Sequence, residues 1–409
     1  MNMNLELLII ADDLTGAADT AVQFSKQGIR SALFLATDVD FDSVDAAIKV
    51  VAVDTESRHC PQHEAYKKVE SAVKKARLCG CRRFYKKIDS TFRGNTGAEL
   101  EALMSAAGAP RLALVPAYPA GGRTTRKGYQ HVKGKPLHES AFARDPREPV
   151  SESFIPAILG RQTSLTIHMI DRTSVRAGSA LAKRQRGIFL FDAETDDDLA
   201  AIADNLDKCG DLDVVAGAAG FAETLASLYR KKTSDKSSLR PKFRYPERLL
   251  VVNGSLNDVS LGQVEQAQQE GTAGFFVTPT AARRDAASEQ LLADAVVQRL
   301  NNDRCAIVTT GAGLQGTIAP ALYAEHIGRI VSAVVAQVPV VNVAVFGGDT
   351  AAAVCRRLGY HVLYPCDEIL PGLTVCSKDD ASVVLILKSG GFGPRDVISK
   401  IRGYLKIRG

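Results

Sequence analysis

LELLIIADDLTGAADTAVQFSKQG, residues 5–28, is the stretch on which the reading of the fold turns. Leu5–Ile10 is a short apolar run that reads as a strand, and Asp12-Asp13 ends it. Residues 15–27 then place Ala17, Ala18, Ala21, Val22 and Phe24 on one helical face, with Gly28 as the stop. The same alternation continues outward from this unit. Ser31–Ala36 and Ile48–Asp54 read as strands, and Pro61 opens a helix carrying Ala65, Val69, Ala72, Val73 and Ala76 on one stripe. Arg83–Ile88 is a strand, Thr96–Ala107 a helix and Leu112–Val115 a strand. Strands and helices alternating at these lengths predict βαβ units and a mainly parallel sheet.

The pattern lapses at RKKTSDKSSLRPKFRYPE, which is charged, Ser-containing and punctuated by Pro, as linkers are. A second α/β series follows, with strands expected at 249–252, 275–278, 306–309, 341–346 and 383–387. A chain of 409 residues exceeds what one core usually organises. The expected architecture is therefore α/β, with two mainly parallel domains at 1–230 and 248–409 joined by a linker at 231–247.

Composition narrows the function classes. Trp is absent and aromatics make up 6% of residues, so base-stacking surfaces for single-stranded nucleic acid have little to be built from. A formal charge of +5 suits anionic small substrates but falls short of a clustered basic face for DNA or RNA. No apolar stretch is long enough to span a bilayer, and Asp12-Asp13 interrupts the N-terminal run before it resembles a signal peptide. Of the eight cysteines only Cys79 and Cys81 are close, at a spacing foreign to zinc and redox motifs. Reduced, structural thiols, a cytoplasmic location and no metal-ligating cluster are the expectations.

In a parallel sheet, functional residues collect at the carboxyl ends of strands. Asp12-Asp13 follows the first strand, Asp54-Thr55-Glu56-Ser57-Arg58 the third, and Lys87-Ile88-Asp89-Ser90-Thr91-Phe92-Arg93 the fourth. One rim would thus carry carboxylates together with Arg58, Lys87 and Arg93. That chemistry holds a carboxylate substrate while an enzyme carboxylate faces its hydroxyl. The plainer alternatives are that Asp13 merely caps a helix, that Lys86 solvates a surface strand, and that Lys87 and Asp89, on one face of an extended segment, form a structural ion pair. Residues 115–146, rich in Gly, Pro and basic side chains, are expected to form an ordered flap over the rim, with Arg123 or His138 as anion contacts.

The second half repeats one device, a strand running into a glycine-rich turn. These turns are Asn253-Gly254-Ser255, Gly311-Ala312-Gly313, Gly347-Gly348-Asp349-Thr350 and Ser389-Gly390-Gly391-Phe392-Gly393. Glycines there let backbone amides approach phosphate oxygens, and a following helix N-terminus favours the negative charge. Gly311 to Gly316 also matches GxGxxG, but the acidic residue that a dinucleotide site wants at the end of the next strand is missing. A nicotinamide-dependent dehydrogenase and a non-catalytic binder of a small carboxylate ligand remain readings from other classes. GxxxxGK[ST] does not occur.

ADDLTGAADTAVQF (11–24), DTESR (54–58), KKIDSTFRGN (86–95), PAYPAGGRTTRKG (116–128), PLHESAFARDP (136–146), VNGS (252–255), GGDT (347–350) and KSGGFG (388–393) together resemble the four-carbon acid sugar kinases, in that family's order and over nearly the whole chain. The resemblance implies an N-terminal acid-sugar domain, a C-terminal ATP domain, and an active site in the cleft between them. It implies substrate contacts from Asp12, Arg58, Lys87, Ile88, Asp89, Ser90 and Arg93. It implies ATP contacts from Ser255, Gly347, Gly348, Asp349, Thr350, Gly390, Gly391, Phe392 and Gly393, with Mg2+ accompanying the nucleotide. Asp12, with Asp89 as its rival, is expected to accept the hydroxyl proton. The SRHCP run after DTE is closer to the threonate and erythronate kinases than to the 3-oxo-tetronate kinases. A homodimer is the default expectation.

Overall fold

The computed structural model describes residues 5–36, 39–41, 44–145, 148–177, 185–232, 246–277, 286–310, 320–338, 340–378 and 383–408. They form two compact units, one on each side of residue 239. Most of the expected linker and all of the 311–316 run lie outside the described residues.

The first unit opens with β1 (Leu7–Ala11), α1 (Leu14–Lys26), β2 (Ser31–Phe34), β3 (Val50–Asp54), α2 (Gln62–Leu78), β4 (Phe84–Lys87), α3 (Thr96–Ala107) and β5 (Arg111–Val115). A small antiparallel sheet follows, β6 (Arg123–Arg126), β7 (Tyr129–Val132) and β8 (Lys135–Pro136). Then come α4 (Ile155–Leu159), β9 (Ile167–Ile170), α5 (Arg172–Arg176), β10 (Gly187–Phe191), α6 (Asp196–Cys209), β11 (Val214–Gly217) and α7 (Ala219–Lys232). The main sheet runs β2-β3-β1-β4-β11-β5-β10-β9, parallel throughout. All five residues of β1 are buried, as a strand covered on both faces requires. Helix α1 packs beside α7, and α2 beside α3. Each fully buried Leu or Ile of β1 contributes about 2 kcal/mol.

The second unit comprises β12 (Leu249–Asn253), α8 (Asp258–Gln269), β13 (Gly274–Phe276), α9 (Ala286–Asp303), β14 (Cys305–Thr309), α10 (Pro320–Gln337), β15 (Val341–Phe346), α11 (Gly348–Arg357), β16 (Val362–Leu370), β17 (Leu373–Ser377), β18 (Val383–Lys388) and α12 (Val397–Arg408). Its strands run β13-β14-β12-β15-β18-β17-β16. The first five are parallel, and β17 pairs antiparallel with both neighbours. The mainly parallel α/β expectation holds in both units; the antiparallel β16–β17 hairpin is an addition to it.

In both units the first four strands lie in the order second-third-first-fourth. Chain direction across the sheet therefore reverses between the first and fourth strands. The crevice at their carboxyl ends is where open α/β sheets bind ligands.

Candidate active site

In the first unit that crevice lies between β1 and β4, with the end of β3 alongside, because Ala11 pairs with Asp54. The loop after β3 brings Arg58 back over β1. Its Nε donates to Asp12 at 2.7 Å, its Nη2 to the other Asp12 oxygen at 2.9 Å, and its Nη1 to Asp13 at 2.8 Å. Asp13 also accepts from the Thr15 hydroxyl and the Gly16 amide, both at 2.9 Å, so it caps α1 and anchors Arg58 at once. Burial pushes the Asp12 carboxyl up. Arg58, Lys86 and Lys87 outweigh that and hold it below the usual carboxylate range. Asp54, at the end of β3, goes the other way: burial dominates, Asp13, Glu56 and Asp12 add to it, and its carboxyl sits well above that range. The Glu56 amide, donating at 2.8 Å, offsets only part of the rise.

Asp89, just past β4, accepts on one oxygen from the Thr91 hydroxyl and Arg93 Nε, each at 2.6 Å, and from the Arg93 amide at 3.3 Å. Burial is overcome here by Arg93 and then Arg58, and the carboxyl is held far below its ordinary value. Arg93 continues to Asp145 at 3.0 Å and lies 5.3 Å from the Phe142 ring centre. The second oxygen of Asp89 has no partner among the described residues.

Beneath the rim is a network that local sequence patterns did not disclose. Lys86, read from the sequence as a residue that could solvate a surface strand, is fully buried. Its Nζ is 3.0 Å from Glu99 of α3 and 2.8 Å from the Lys87 carbonyl. Glu99 accepts a very short bond from Ser57, and Ser57 is 2.5 Å from Thr55. A buried lysine ammonium needs oxygen acceptors, and a buried carboxylate such as Glu99 is the strongest of them.

Lys87 stands apart from its neighbours. It is buried, yet its ammonium forms no hydrogen bond or ion pair among the described residues, and no ion pair joins it to Asp89. It passes so close to α1 that a methyl placed on Gly16 would stand 2.9 Å from Nζ and 2.5 Å from Asp13 Oδ1. The Ser90 hydroxyl is likewise unpartnered among the described residues, while its carbonyl accepts from Gln130 of β7 at 2.7 Å. Ile88 is buried and directs its amide to the Gly217 carbonyl at 3.0 Å, so only its backbone is polar. A cavity of about 380 Å³ opens on the outer side of Arg58 and Arg93, lined also by His59, Asn95, Glu148 and Arg161.

Residues 115–145 of the expected flap are ordered and fastened to this rim. Gln130 holds Ser90, Asp145 holds Arg93, and Asp192 at the end of β10 accepts the Lys127 and Gly128 amides at 2.6 and 2.9 Å. Arg123 is buried, donates to the Gly121 carbonyl and lies over Phe142. His138 bonds Ser153 through Nδ1 at 2.6 Å.

In the second unit the reversal lies between β12 and β15, with β18 next to β15. Three of the four glycine turns meet there. A methyl on Gly254 would overlap the Thr350 hydroxyl, one on Gly347 would reach Ser255 Cβ at 3.4 Å, and one on Gly390 would meet Ser255 Oγ at 2.7 Å. Gly347, at φ 105°, takes a backbone conformation that side chains avoid and starts α11. The amides of Gly348 and Thr350 in the first turn of α11 and of Gly390 and Gly391 have no backbone acceptor among the described residues. Amides gathered around the hydroxyls of Ser255 and Thr350 make a cradle that fits phosphate oxygens. Asp349 stands in that first turn, and Phe392 and Gly393 continue the third turn. Lys388, outside the residues expected from the sequence, lies beneath it. Among the described residues no group of three or more His, Cys, Asp or Glu side chains could hold a metal ion.

Residues 7–225 match a family profile described as a sugar-binding N-terminal domain, and residues 250–398 one described as a nucleotide-binding C-terminal domain. The chain belongs to the four-carbon acid sugar kinase family. It is 31% identical to a D-threonate kinase of Bordetella bronchiseptica, over 98% of this chain and 97% of that protein. It is 30% identical to a 3-oxo-tetronate kinase of Burkholderia multivorans, over 96% and 95%. A solved protein of Salmonella typhimurium, described as a putative tRNA synthase, shares the fold at a TM-score of 0.79 and 25% identity, over 97% of this chain and 98% of that one. As a member of the acid sugar kinase family the chain is a phosphotransferase. The two domain descriptions fall on the two crevices: charged side chains in the first, glycine amides in the second.

Proposed function

We propose that this protein transfers the terminal phosphoryl group of ATP to the 4-hydroxyl of a four-carbon acid sugar, with D-threonate as the preferred substrate. The observation that carries the reading is Lys87, a buried ammonium at the first switch point that no carboxylate contacts among the described residues. A substrate carboxylate supplies that anion. Arg58 and Arg93 contribute differently from Lys87: each is held by two carboxylates, Arg58 by Asp12 and Asp13 and Arg93 by Asp89 and Asp145, and they fix the shape of the rim rather than offer free positive charge. Ser90 and the open oxygen of Asp89 receive the sugar hydroxyls. That oxygen makes Asp89 the better acceptor for the attacking hydroxyl, while Asp12 holds Arg58 in place. Both carboxyls are weak bases, which suits a reaction that asks for positioning and charge neutralisation more than for proton abstraction.

The phosphate chain of ATP lies on the turns at Ser255, Gly347 to Thr350 and Gly390 to Gly393. Mg2+ accompanying the nucleotide would supply charge neutralisation, and as a hard cation it would take oxygen ligands, which the Ser255 and Thr350 hydroxyls beside the cradle could offer. The relatives that are named kinases support ATP over a nicotinamide cofactor. All eight cysteines are free thiols, in keeping with a reducing compartment, and we place the enzyme in the cytoplasm. No helix among the described residues is long and apolar enough to cross a membrane.

ADP release measured over D-threonate, L-threonate, D-erythronate and 3-oxo-tetronate tests the reading. D-threonate is expected to give the highest kcat/KM. Preference for D-erythronate or 3-oxo-tetronate would replace the substrate but keep the reaction; no ADP from any of the four would end the kinase reading.

A further inference from the structure

Lys388, the last residue of β18, is fully buried and faces no carboxylate among the described residues. Its Nζ lies 3.1 Å from Ser260 Oγ, 3.0 Å from the Ser389 carbonyl and 3.1 Å from the Gly390 carbonyl. The Phe346 ring centre is 4.7 Å away on the β15 side. An ammonium has three protons to donate and here meets three oxygens. Ser260 itself donates to the Gly390 carbonyl at 2.8 Å. Gln263, one helical turn on, donates to the carbonyls of Phe392, Gly393 and Pro394 at 3.0, 3.1 and 2.9 Å.

The direction of these bonds has a consequence. In a trans peptide the carbonyl and the next amide point opposite ways. With the Ser389 and Gly390 carbonyls drawn inward to Lys388, the Gly390 and Gly391 amides face outward. We propose that Lys388 is a positioning residue of the nucleotide site, its buried ammonium holding the 389–391 peptides so that their amides meet the phosphate chain. This rests on reading the second-unit turns as the ATP site. The unpaired charge also lies directly behind the donors and favours an anion in front of them.

Burial pulls the Lys388 ammonium down to about 7. The charged residues on the elements around it are Asp258 and Glu265 of α8, Asp349, Arg356 and Arg357 of α11, and Arg395 beyond the turn. None contacts the ammonium among the described residues, and Glu265 is paired with Arg395 at 2.9 Å. An anion bound at the turn therefore raises the affinity of Lys388 for its proton, and binding takes a proton up.

Calorimetric titration of the enzyme with the imido analogue of ATP and Mg2+, in buffers of different ionisation enthalpy between pH 8 and 10, reads this directly. The expected result is uptake of on the order of one proton and affinity that falls as pH rises. Lys388→Met should abolish the uptake and weaken the analogue roughly 10- to 100-fold, with the KM of the acid sugar unchanged within about twofold. Wild-type binding without uptake anywhere in that range overturns the proposal, and it needs no variant to fold. So does a Lys388→Met enzyme that binds as well as wild type. Wild-type enzyme that binds no analogue, but still phosphorylates the sugar from another donor, overturns the ATP-site reading instead and takes the brace with it.

Discussion

Replacing Arg58 by Met removes three charge-assisted bonds of 2.7, 2.8 and 2.9 Å while keeping an apolar stem of similar reach. The two partners it leaves behind are not equivalent. Asp13 has a side chain 15% exposed and two other donors, so its share is that of a near-surface pair, about 0–1 kcal/mol. Asp12 is only 3% exposed and loses both of its bonds to Arg58. Breaking a buried pair from one side costs about 3–5 kcal/mol; the attraction of Lys86 and Lys87 keeps this case near the lower end. The expected loss is about 3–4 kcal/mol at pH 7, a large part of the roughly 5–15 kcal/mol a domain has. The sign with pH follows from Asp12. In the wild type its folded value is depressed, so its contribution is present above the unfolded value of about 3.9 and is lost as pH falls through the folded value. Without Arg58 burial has the upper hand, the folded value rises above the unfolded one, and acidification relieves the penalty. The gap between variant and wild type should therefore narrow from pH 7 to pH 5. The chain has no Trp, so urea unfolding is followed by circular dichroism. A variant within about 0.5 kcal/mol of wild type, or a deficit that does not change with pH, would refute the account.

Gly16→Ala drives a methyl toward Lys87 Nζ and Asp13 Oδ1. The acid-sugar KM should rise about tenfold while the ATP KM stays put, and equal changes in both would point to general misfolding. Asp54→Asn replaces a carboxyl whose folded value is raised. For such a group the charged form is penalised above the unfolded value, so the variant should match wild type in acid and equal or exceed its stability at neutral to alkaline pH; a loss at pH 8 argues against a protonated Asp54. Asp89→Asn should lower kcat more than Asp12→Asn at matched stability, measured with saturating ATP and sugar. The reverse order returns the hydroxyl-facing role to Asp12.

Much of this was legible in the chain because parallel α/β units write their topology locally. Leu7–Ala11 is apolar at every position, and the polar residues that follow it have to lie at a strand end. What stayed hidden is pairing across elements. Nothing near Lys86 names Glu99 as its partner, since one is on β4 and the other on α3. Arg58 reads as a ligand for a substrate carboxylate until the fold returns it to Asp12 and Asp13. The β16–β17 hairpin did leave a mark, the Pro371-Gly372 turn with Gly372 at φ 78°. Its first strand, however, mixes Pro365, Asp367 and Glu368 into a half-buried segment and lacks a clean alternation.

The two units share the second-third-first-fourth order, and this explains why one rule points to a candidate site in each although their chemistry differs. Each reversal leaves a crevice, and in each the polar groups are paired off until one kind remains. In the first unit Arg58 is matched with Asp12 and Asp13, Arg93 with Asp89 and Asp145, and Lys86 with Glu99. Lys87 is left without a contacting carboxylate among the described residues, and a buried cation of that kind suits a small anion at one point in space. In the second unit Lys388 and Gln263 hold the turn carbonyls, and amides are left over. Amide donors spread over two turns suit a chain of phosphates better than a single carboxylate. On the proposed reading, the pairing of the neighbours in each unit determines the ligand, and the residues that matter most for recognition are those with fewest partners among the described residues.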